Sequence, residues 1–453
     1  MEYPKKAPFP SATGTDESSQ IGVRMAEVRD AATATPTTCI GQAAPPPRPI
    51  LIASTSWWAF PARIAMAFAR CGFRVEAICP HGHPLVKTRA VQHIYRYRAL
   101  DPLGALAAAI ERGAPELIVP CDDRVVGHLH ALHSRLLETG RSGTALIERS
   151  LGSRDGFATI GARSDLILIA RAEGIRAPEM QRVGTVEELR VAVDRLGLPA
   201  VLKQDGTWGG LGVVVARSIE QAEESFHKLT QPLSARKALK RLIVNGDPFS
   251  ILPWLGGVKP TVNVQRFVRG RPANCAAACW EGEVLAISNV EVLRAQDVLG
   301  ASTVVRAITN HEMSEATRRL VRRLQLSGFC GLDFLLDESG AAHLLELNAR
   351  STPLCHLAVG IGRNPLGALA EKVAGMPLRE SVQIKENTIA FFPQAWLLEP
   401  DSEFLHNGYH DVPWEEPELM QELMKLPWPE RSLLAQASGR FRRRNRAPIG
   451  RFD

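Results

Sequence analysis

The chain has 453 residues, 45% of them hydrophobic and 23% charged, which excludes a fibrous or low-complexity chain and suits two or three packed cores. No apolar run reaches the roughly 20 residues a membrane helix needs, and the N-terminus lacks the apolar centre of a signal peptide, so a cytoplasmic protein without a membrane partner is the expectation. Of the net charge of +6, the tail "RFRRRNRAPIGRFD" supplies +5 from six arginines and one aspartate; the near-neutral body argues against nucleic acid as a partner.

Residues 1–48, rich in Thr, Ser, Ala and Pro and ending in "PPPRP", have no helical or strand period and read as a disordered leader. "PILIAS" (49–54) then reads as a buried strand, followed by an alanine-rich helix through Arg70 and a second strand in "GFRVEAIC" (72–79). An alanine-rich helix (103–112) and the strand "ELIVP" (116–120) continue this β-α-β pattern, which implies an open parallel sheet. Its first turn, "STSWW", lacks the G-x-G-x-x-G fingerprint of a dinucleotide site. Further on, "SDLILIARAEGI" reads as a helix capped by Ser164, and "TVEELRVAVDRLG" opens on a capping box from Thr185 to Glu188. The short strand "LPAVLK" ends on Lys203. Eight cysteines without C-x-x-C spacing read as reduced, packed thiols. After about Leu378 the chain turns rich in Trp and Pro and shows little regular pattern.

Two stretches carry chemistry. "KQDGTWGGLGV" (203–213) places Gly206, Gly209, Gly210 and Gly212 just after a lysine. Walker and dinucleotide loops lead from a strand into a helix. Here the β-branched run "VVVAR" follows, so the loop joins two strands. Taken alone, it is either a flap whose amides close over phosphates or an ordinary flexible hairpin.

The second stretch, "GLDFLLDESGAAHLLELNARS" (331–351), reads as two strands joined at Ser339-Gly340. A two-residue loop there sets Asp333 opposite Glu346, with Asn348 on the same face. Opposed carboxylates repel unless a positive charge lies between them. Two carboxylates and an amide oxygen suit Mg²⁺ held together with phosphates.

Together these residues resemble the ATP-grasp superfamily: a strand lysine, a glycine-rich hairpin flap, and a late hairpin ending in "ELNAR", similar to the family's E-x-N-x-R. The resemblance covers roughly residues 160–375. It implies a mixed α/β and α+β fold, with an N-terminal open parallel sheet domain followed by a two-lobed ATP-grasp unit. The implied layout is a leader at 1–48, an N-terminal α/β domain at 49–155, a small lobe with the flap at 156–264, a large lobe with the metal site at 265–378, and a C-terminal extension at 379–453.

Carried over residue by residue, the resemblance gives Lys203 to ATP phosphate and the main chain of Gly209, Gly210 and Gly212 to the flap. "VQRFV" resembles the hinge strand, with Gln265 and the main chain of Phe267 and Val268 at the adenine. Asp333, Glu346 and Asn348 would hold Mg²⁺, with Mn²⁺ as a substitute, and Arg350 would approach the transferred phosphate. Two departures stand out. "RGRP" (269–272) replaces the family's acidic ribose contact, and "ARSD" (162–165) offers Arg163 or Ser164 where relatives often carry a lysine.

The implied activity is an ATP-dependent ligase joining a small-molecule carboxylate to an amine. The alternatives are a phosphotransferase on the same scaffold and a nucleotide-binding regulator without turnover. The resemblance also leaves room for a homo-oligomer.

Other features read as structural. Cys79, His81 and His83 in "CPHGHP" look like loop residues rather than metal ligands, and Asp122 and Asp123 like helix caps rather than contacts to an amine. His128, His130 and His133 read as solvated. "ELMKL" (422–426) has helical spacing, not the hairpin tip that biotin attachment requires. Trp414 and Trp428 read as docking onto the body of the protein.

Overall fold

The computed structural model describes residues 47–206, 212–232, 234, 242, 249, 254–256, 260–296, 300–360, 362–378 and 383–425. The leader up to residue 46, flap residues Gly209 and Gly210, Trp208, Trp428 and the arginine-rich tail lie outside the described residues.

The first sheet is fully parallel, in the order β3-β2-β1-β4, from β1 (Pro49–Ala53), β2 (Arg74–Cys79), β3 (Val91–Arg96) and β4 (Leu117–Pro120). Side chains alternate across the central strand. Ile50 and Ile52 pack with helix Phe60–Arg70, whereas Leu51 and Ala53 pack with Leu106 and Leu129. Burial on both faces is why β1 reads as a continuous apolar run. The edge strand β3, "VQHIYR", is too polar and exposed to give that signal, and sequence reading passes over it.

The second sheet has the order β5-β8-β6-β7, from β5 (Met180–Val183), β6 (Ala200–Gln204), β7 (Val213–Ala216) and β8 (Val262–Arg266), and each pairing is antiparallel. Helices Val186–Leu196 and Ile219–Leu229 cover one face through Leu202, Val262 and Val264. The capping box forms in a displaced version. Thr185 Oγ1 accepts from the Glu188 amide at 3.2 Å, but the Glu188 carboxylate accepts from the Gly184 amide at 2.6 Å, one residue before the cap.

The third sheet comprises β9 (Arg271–Trp280), β10 (Glu283–Ala295), β11 (Ser302–Ile308), β12 (Gly328–Leu336), β13 (Ala342–Asn348), β14 (Thr388–Phe391) and β15 (Tyr409–Asp411). Their order is β13-β12-β9-β10-β11-β14-β15, with only β14–β15 parallel. The segment after Leu378 therefore departs from the expectation of little regular structure. The short apolar run of β14 pairs with β11, remote in sequence, and the polar β15 then adds to β14 at the sheet edge.

One face of the third sheet (Ala276, Ala278, Phe329) packs against helix Phe60–Arg70 of the N-terminal sheet, with the Phe68 and Phe329 rings 6.3 Å apart. The other face packs under helices Arg163–Ala172 and His311–Arg323. From Pro47 on, the described residues form one compact unit. No helix among them is long and apolar enough to cross a membrane.

Two local expectations are corrected. Ser164 is not a cap: the helix begins at Arg163 after Ala162, without a side-chain cap, and the Ser164 hydroxyl donates to Asp165 at 3.1 Å. The histidines of helix Asp123–Glu138 are not solvated. His133 is buried and paired with Glu148 at 2.7 Å, His128 meets the Tyr97 hydroxyl at 2.9 Å, and His130 stacks on Phe157. Apolar bodies with polar tips suit this half-buried layer, which helix period alone does not distinguish from solvent.

At Gly152 the chain runs against Leu326, and a Cβ there would come within 2.1 Å of the Gln325 carbonyl oxygen at a φ of +105°. Gly152→Ala is expected to cost about 2–4 kcal/mol in denaturant unfolding. Gly127→Ala, on an exposed helical position with open space around its Cβ, is expected to gain up to about 1 kcal/mol. Equal, small effects would contradict the close approach at Gly152.

Candidate functional site

The β12–β13 hairpin does place Asp333 opposite Glu346, by a route different from the expected one. The loop has three residues, 338–340, between Asp337 and Ala341, with Gly340 at a φ of +85°. The Asp337 carboxylate braces it by accepting from the amides of Ser339 at 2.9 Å and Ala341 at 3.0 Å. This longer loop alone would set Asp333 against Leu345. A bulge at Leu345 shifts the register by one residue and restores the Asp333–Glu346 pair.

Around that pair the chain gathers cations and amides. Asp333 accepts from Asn274 Nδ2 at 2.6 Å and from Asn348 Nδ2 at 3.3 Å. Crowding by protein and the charge of Glu346 push its carboxyl up to about 6. Glu346 Oε1 accepts from Arg163 at 2.9 Å from Nη2 and 3.2 Å from Nε. The same guanidinium donates through Nη1 to the main-chain oxygen of Gln204, so Arg163 ties β13 to β6.

Lys203 lies next in β6, paired with Asn263 on one side and Val213 on the other, and is 8% exposed. Burial pulls its ammonium down to about 8, opposed by the charges of Glu346 and Asp333. Its strand ends in the expected strand-to-strand connection. β6 and β7 pair antiparallel, and Gly206 and Gly212, at φ of +71° and +72°, flank the flap. Both need the left-handed region that glycine reaches without strain.

Gln265 of β8 is buried on the Lys203 face of the second sheet, where its Nε2 and the Asn263 Oδ1 have no hydrogen-bond partner among the described residues. Such orphaned buried polar atoms are suited to a polar ligand. Phe267 and Val268 follow in the connector between β8 and β9, where the chain passes from the second sheet to the third.

Asn348 is beside Asp333 as expected, but its Oδ1 accepts from Arg350 Nη2 at 2.9 Å, so the amide oxygen is already engaged. Arg350 is buried, donates from Nε to Asp123 at 2.8 Å, and lies 5.5 Å from the Trp58 ring centre. Burial opposes its charge most strongly, but Asp123, together with the charges of Asp122 and Glu346, holds its pKa above the ordinary value.

Arg350 thus abuts the carboxyl ends of β1 and β4, where the strand order of the parallel sheet reverses and such sheets form clefts. Asp122 caps helix Asp123–Glu138 through the Val125 amide at 3.0 Å and also accepts from the Thr55 amide at 2.6 Å and the Ser54 hydroxyl at 3.1 Å. Asp122 is a cap, as expected, whereas Asp123 is the partner of Arg350. His83 is buried, accepting from the Leu85 amide at Nδ1 and meeting the Ser56 carbonyl at 2.8 Å, which uses both ring nitrogens structurally.

Among the described residues, no three His, Cys, Asp or Glu side chains come together as a metal cluster. The donor set of Asp333 and Glu346 nonetheless fits Mg²⁺, which keeps waters and is commonly bound by one or two carboxylates plus substrate phosphates. Asn274 and Asn263 carry no signal of their own in the sequence, and Asp123 reads there only as a helix cap. Asn274 interrupts the Ala/Cys-rich part of β9, a feature that gains meaning only when β9–β12 pairing sets it opposite Asp333.

No family model matches the chain. It is 26% identical over 227 residues to the carbamoyl phosphate synthase large chain of Methanosarcina acetivorans, covering 49% of this chain and 19% of that one. It is 31% identical over 125 residues to the formate-dependent phosphoribosylglycinamide formyltransferase of Methanocaldococcus jannaschii, 27% of this chain and 29% of that one. The chain thus spans about a fifth of the length of the first of these relatives (19%).

Among solved structures, carboxyaminoimidazole ribonucleotide synthase from Aspergillus clavatus complexed with ATP superposes with a TM-score of 0.54 at 15% identity, over 75% of this chain and 80% of that one. The L-amino acid ligase from Bacillus licheniformis gives 0.52 at 14% identity, over 75% and 77%.

The raised carboxyl of Asp333 has a consequence for stability. Between about pH 4 and 6 the folded state holds the Asp333 proton that the unfolded chain releases, so this group's contribution to stability falls as pH rises through that window. Asp333→Asn, which cannot titrate, should therefore gain stability relative to wild type from pH 4 to pH 6 in denaturant unfolding. Parallel curves would contradict the shift.

The three-sheet architecture, the lysine-bearing hairpin, the Asp333–Glu346 pair and these likenesses agree: the chain has the fold of, and is similar in sequence to, members of the ATP-grasp superfamily.

Proposed function

We propose that the chain is an ATP- and Mg²⁺-dependent ligase that joins a small-molecule carboxylate to an amine in the cytoplasm, with Mn²⁺ able to replace Mg²⁺. The observation that carries this reading is that Lys203 of the second sheet faces the Asp333–Glu346 pair of the third, while Arg350, just past that pair's hairpin, is bonded to Asp123 at the edge of the first. A polyphosphate cradle and a carboxyl-end substrate cleft then share a border at Arg350. The likenesses to carbamoyl phosphate synthase large chains, to carboxyaminoimidazole ribonucleotide synthase and to an L-amino acid ligase support the same reaction class.

In this reading Gln265 and the main chain of Phe267 and Val268 receive the adenine, and Lys203 takes the phosphates together with the main chain of the flap glycines Gly209, Gly210 and Gly212. Asp333 and Glu346 hold the cation, which when bound neutralises charge on the phosphate oxygens. Asn348 serves the cation indirectly, by orienting Asp333 and Arg350, or through the second lone pair of its oxygen.

A substrate carboxylate oxygen attacks the γ-phosphorus, ADP leaves, and an acyl-phosphate forms. The amine nitrogen then attacks the acyl carbon and loses a proton, and phosphate departs with the former carboxylate oxygen. Arg350, held at Asp123 and Asn348 beside the first sheet, is placed to steady both the transferred phosphoryl group and the acyl-phosphate. The protein forms no covalent bond to substrate.

Asp333→Ala and Glu346→Ala are each expected to abolish Mg²⁺-dependent ADP formation while leaving a cooperative unfolding transition. Full ADP formation by either folded variant would overturn the site.

A further inference from the structure

Arg163 is oddly placed for a structural residue. It opens helix Arg163–Ala172, where the helix dipole disfavours a cation, and no side chain caps that end. Its guanidinium is instead spent across the cleft: two N–H groups converge on Glu346 Oε1, at 2.9 Å and 3.2 Å, and a third reaches the main-chain oxygen of Gln204. The Arg163 side chain is 12% exposed and the Glu346 side chain 29%, so this is a sheltered ion pair rather than a surface one. Lys203, one residue before Gln204, brings a second buried cation to the same carboxylates.

A divalent cation approaching Asp333 and Glu346 therefore meets carboxylates whose charge is already balanced by Arg163 and Lys203. A polyphosphate entering the cleft changes that balance, because both cations gain oxygens of higher charge density than one carboxylate offers. We propose that Arg163 makes cation binding at Asp333–Glu346 conditional on a polyphosphate, so that the cleft accepts the metal–polyphosphate pair and discriminates against free metal. Arg163 is a positioning residue in this scheme: it sets the affinity of Glu346 for the cation and holds β6 to β13 through Gln204. The inference rests on the nucleotide-and-metal reading of the cleft and adds an ordering to it.

The test uses the full chain and measures Mn²⁺ binding by the electron paramagnetic resonance signal of free Mn²⁺. ADP binding is measured by calorimetry, with Mn²⁺ or with a chelator. In wild type, Mn²⁺ alone should bind weakly, and Mn²⁺ should tighten ADP by a factor within the roughly 5–150-fold range common for linked sites.

In Arg163→Met, Mn²⁺ alone should bind about tenfold more tightly, and the tightening of ADP by Mn²⁺ should shrink to less than about threefold. Arg163→Gln carries the same expectation should the methionine variant fail to fold, and Arg163→Lys should return Mn²⁺ affinity toward wild type. A purely structural role for Arg163 would lower Mn²⁺ affinity or leave it unchanged. Either result, with ADP and Mn²⁺ still binding to wild type, overturns this inference and spares the nucleotide reading. Failure of wild type to bind ADP or Mn²⁺ in any combination overturns both.

Discussion

Two carboxylates facing each other across a hairpin set the terms for the rest of this molecule. Asp333 and Glu346 would destabilise β12–β13 if left to repel one another in a sheltered cleft. The surrounding residues answer that repulsion from three directions: Asn274 and Asn348 donate to Asp333, Arg163 to Glu346, and Lys203 adds its charge from β6. Each partner comes from a different element. Satisfying one electrostatic demand thus brings β9, β6, the start of helix Arg163–Ala172 and the end of β13 together. Charge that is stabilised by position in this way is also charge that a cation and phosphates can take over.

The same logic reaches the N-terminal sheet. Arg350, two residues past β13, is buried and finds its counter-charge in Asp123, at the start of the helix that follows β4. Ser351 adds a main-chain bond to the Pro120 carbonyl at 3.0 Å. The hairpin with the acidic pair and the carboxyl ends of the parallel sheet are therefore fixed to each other, and a group bound at those strand ends would lie beside Arg350. Trp58, over which Arg350 lies, lines the same border.

Much of this was legible in the sequence, because the signals were local. Buried parallel strands read as apolar runs, the glycine loop was followed by β-branched residues, and the acidic pair followed from hairpin geometry. The hairpin also shows how a correct inference can rest on a compensated error: the loop is one residue longer than "DESG" suggested, and the Leu345 bulge takes up the difference. What was not legible depended on partners far away in the chain. Asn274 gains meaning only once β9 pairs with β12, Asp123 only once Arg350 arrives, and β14 and β15 only within a sheet whose other strands lie up to about 140 residues earlier. The histidines of helix Asp123–Glu138 failed for a related reason. A helix period marks a face, but it does not say that Phe157 and Tyr97 will cover it.

In the proposed reaction this site uses ATP to activate a carboxylate for attack by an amine. The most direct measurement incubates the purified chain with ATP and Mg²⁺ across a panel of amino-acid and metabolite carboxylates with amine donors. ADP and product mass are then read from the same reactions. ADP is expected to form, dependent on Mg²⁺, in step with a product whose mass equals acid plus amine less one water. A stable phosphorylated product, or tight ATP binding with no turnover across the whole panel, would contradict this reaction.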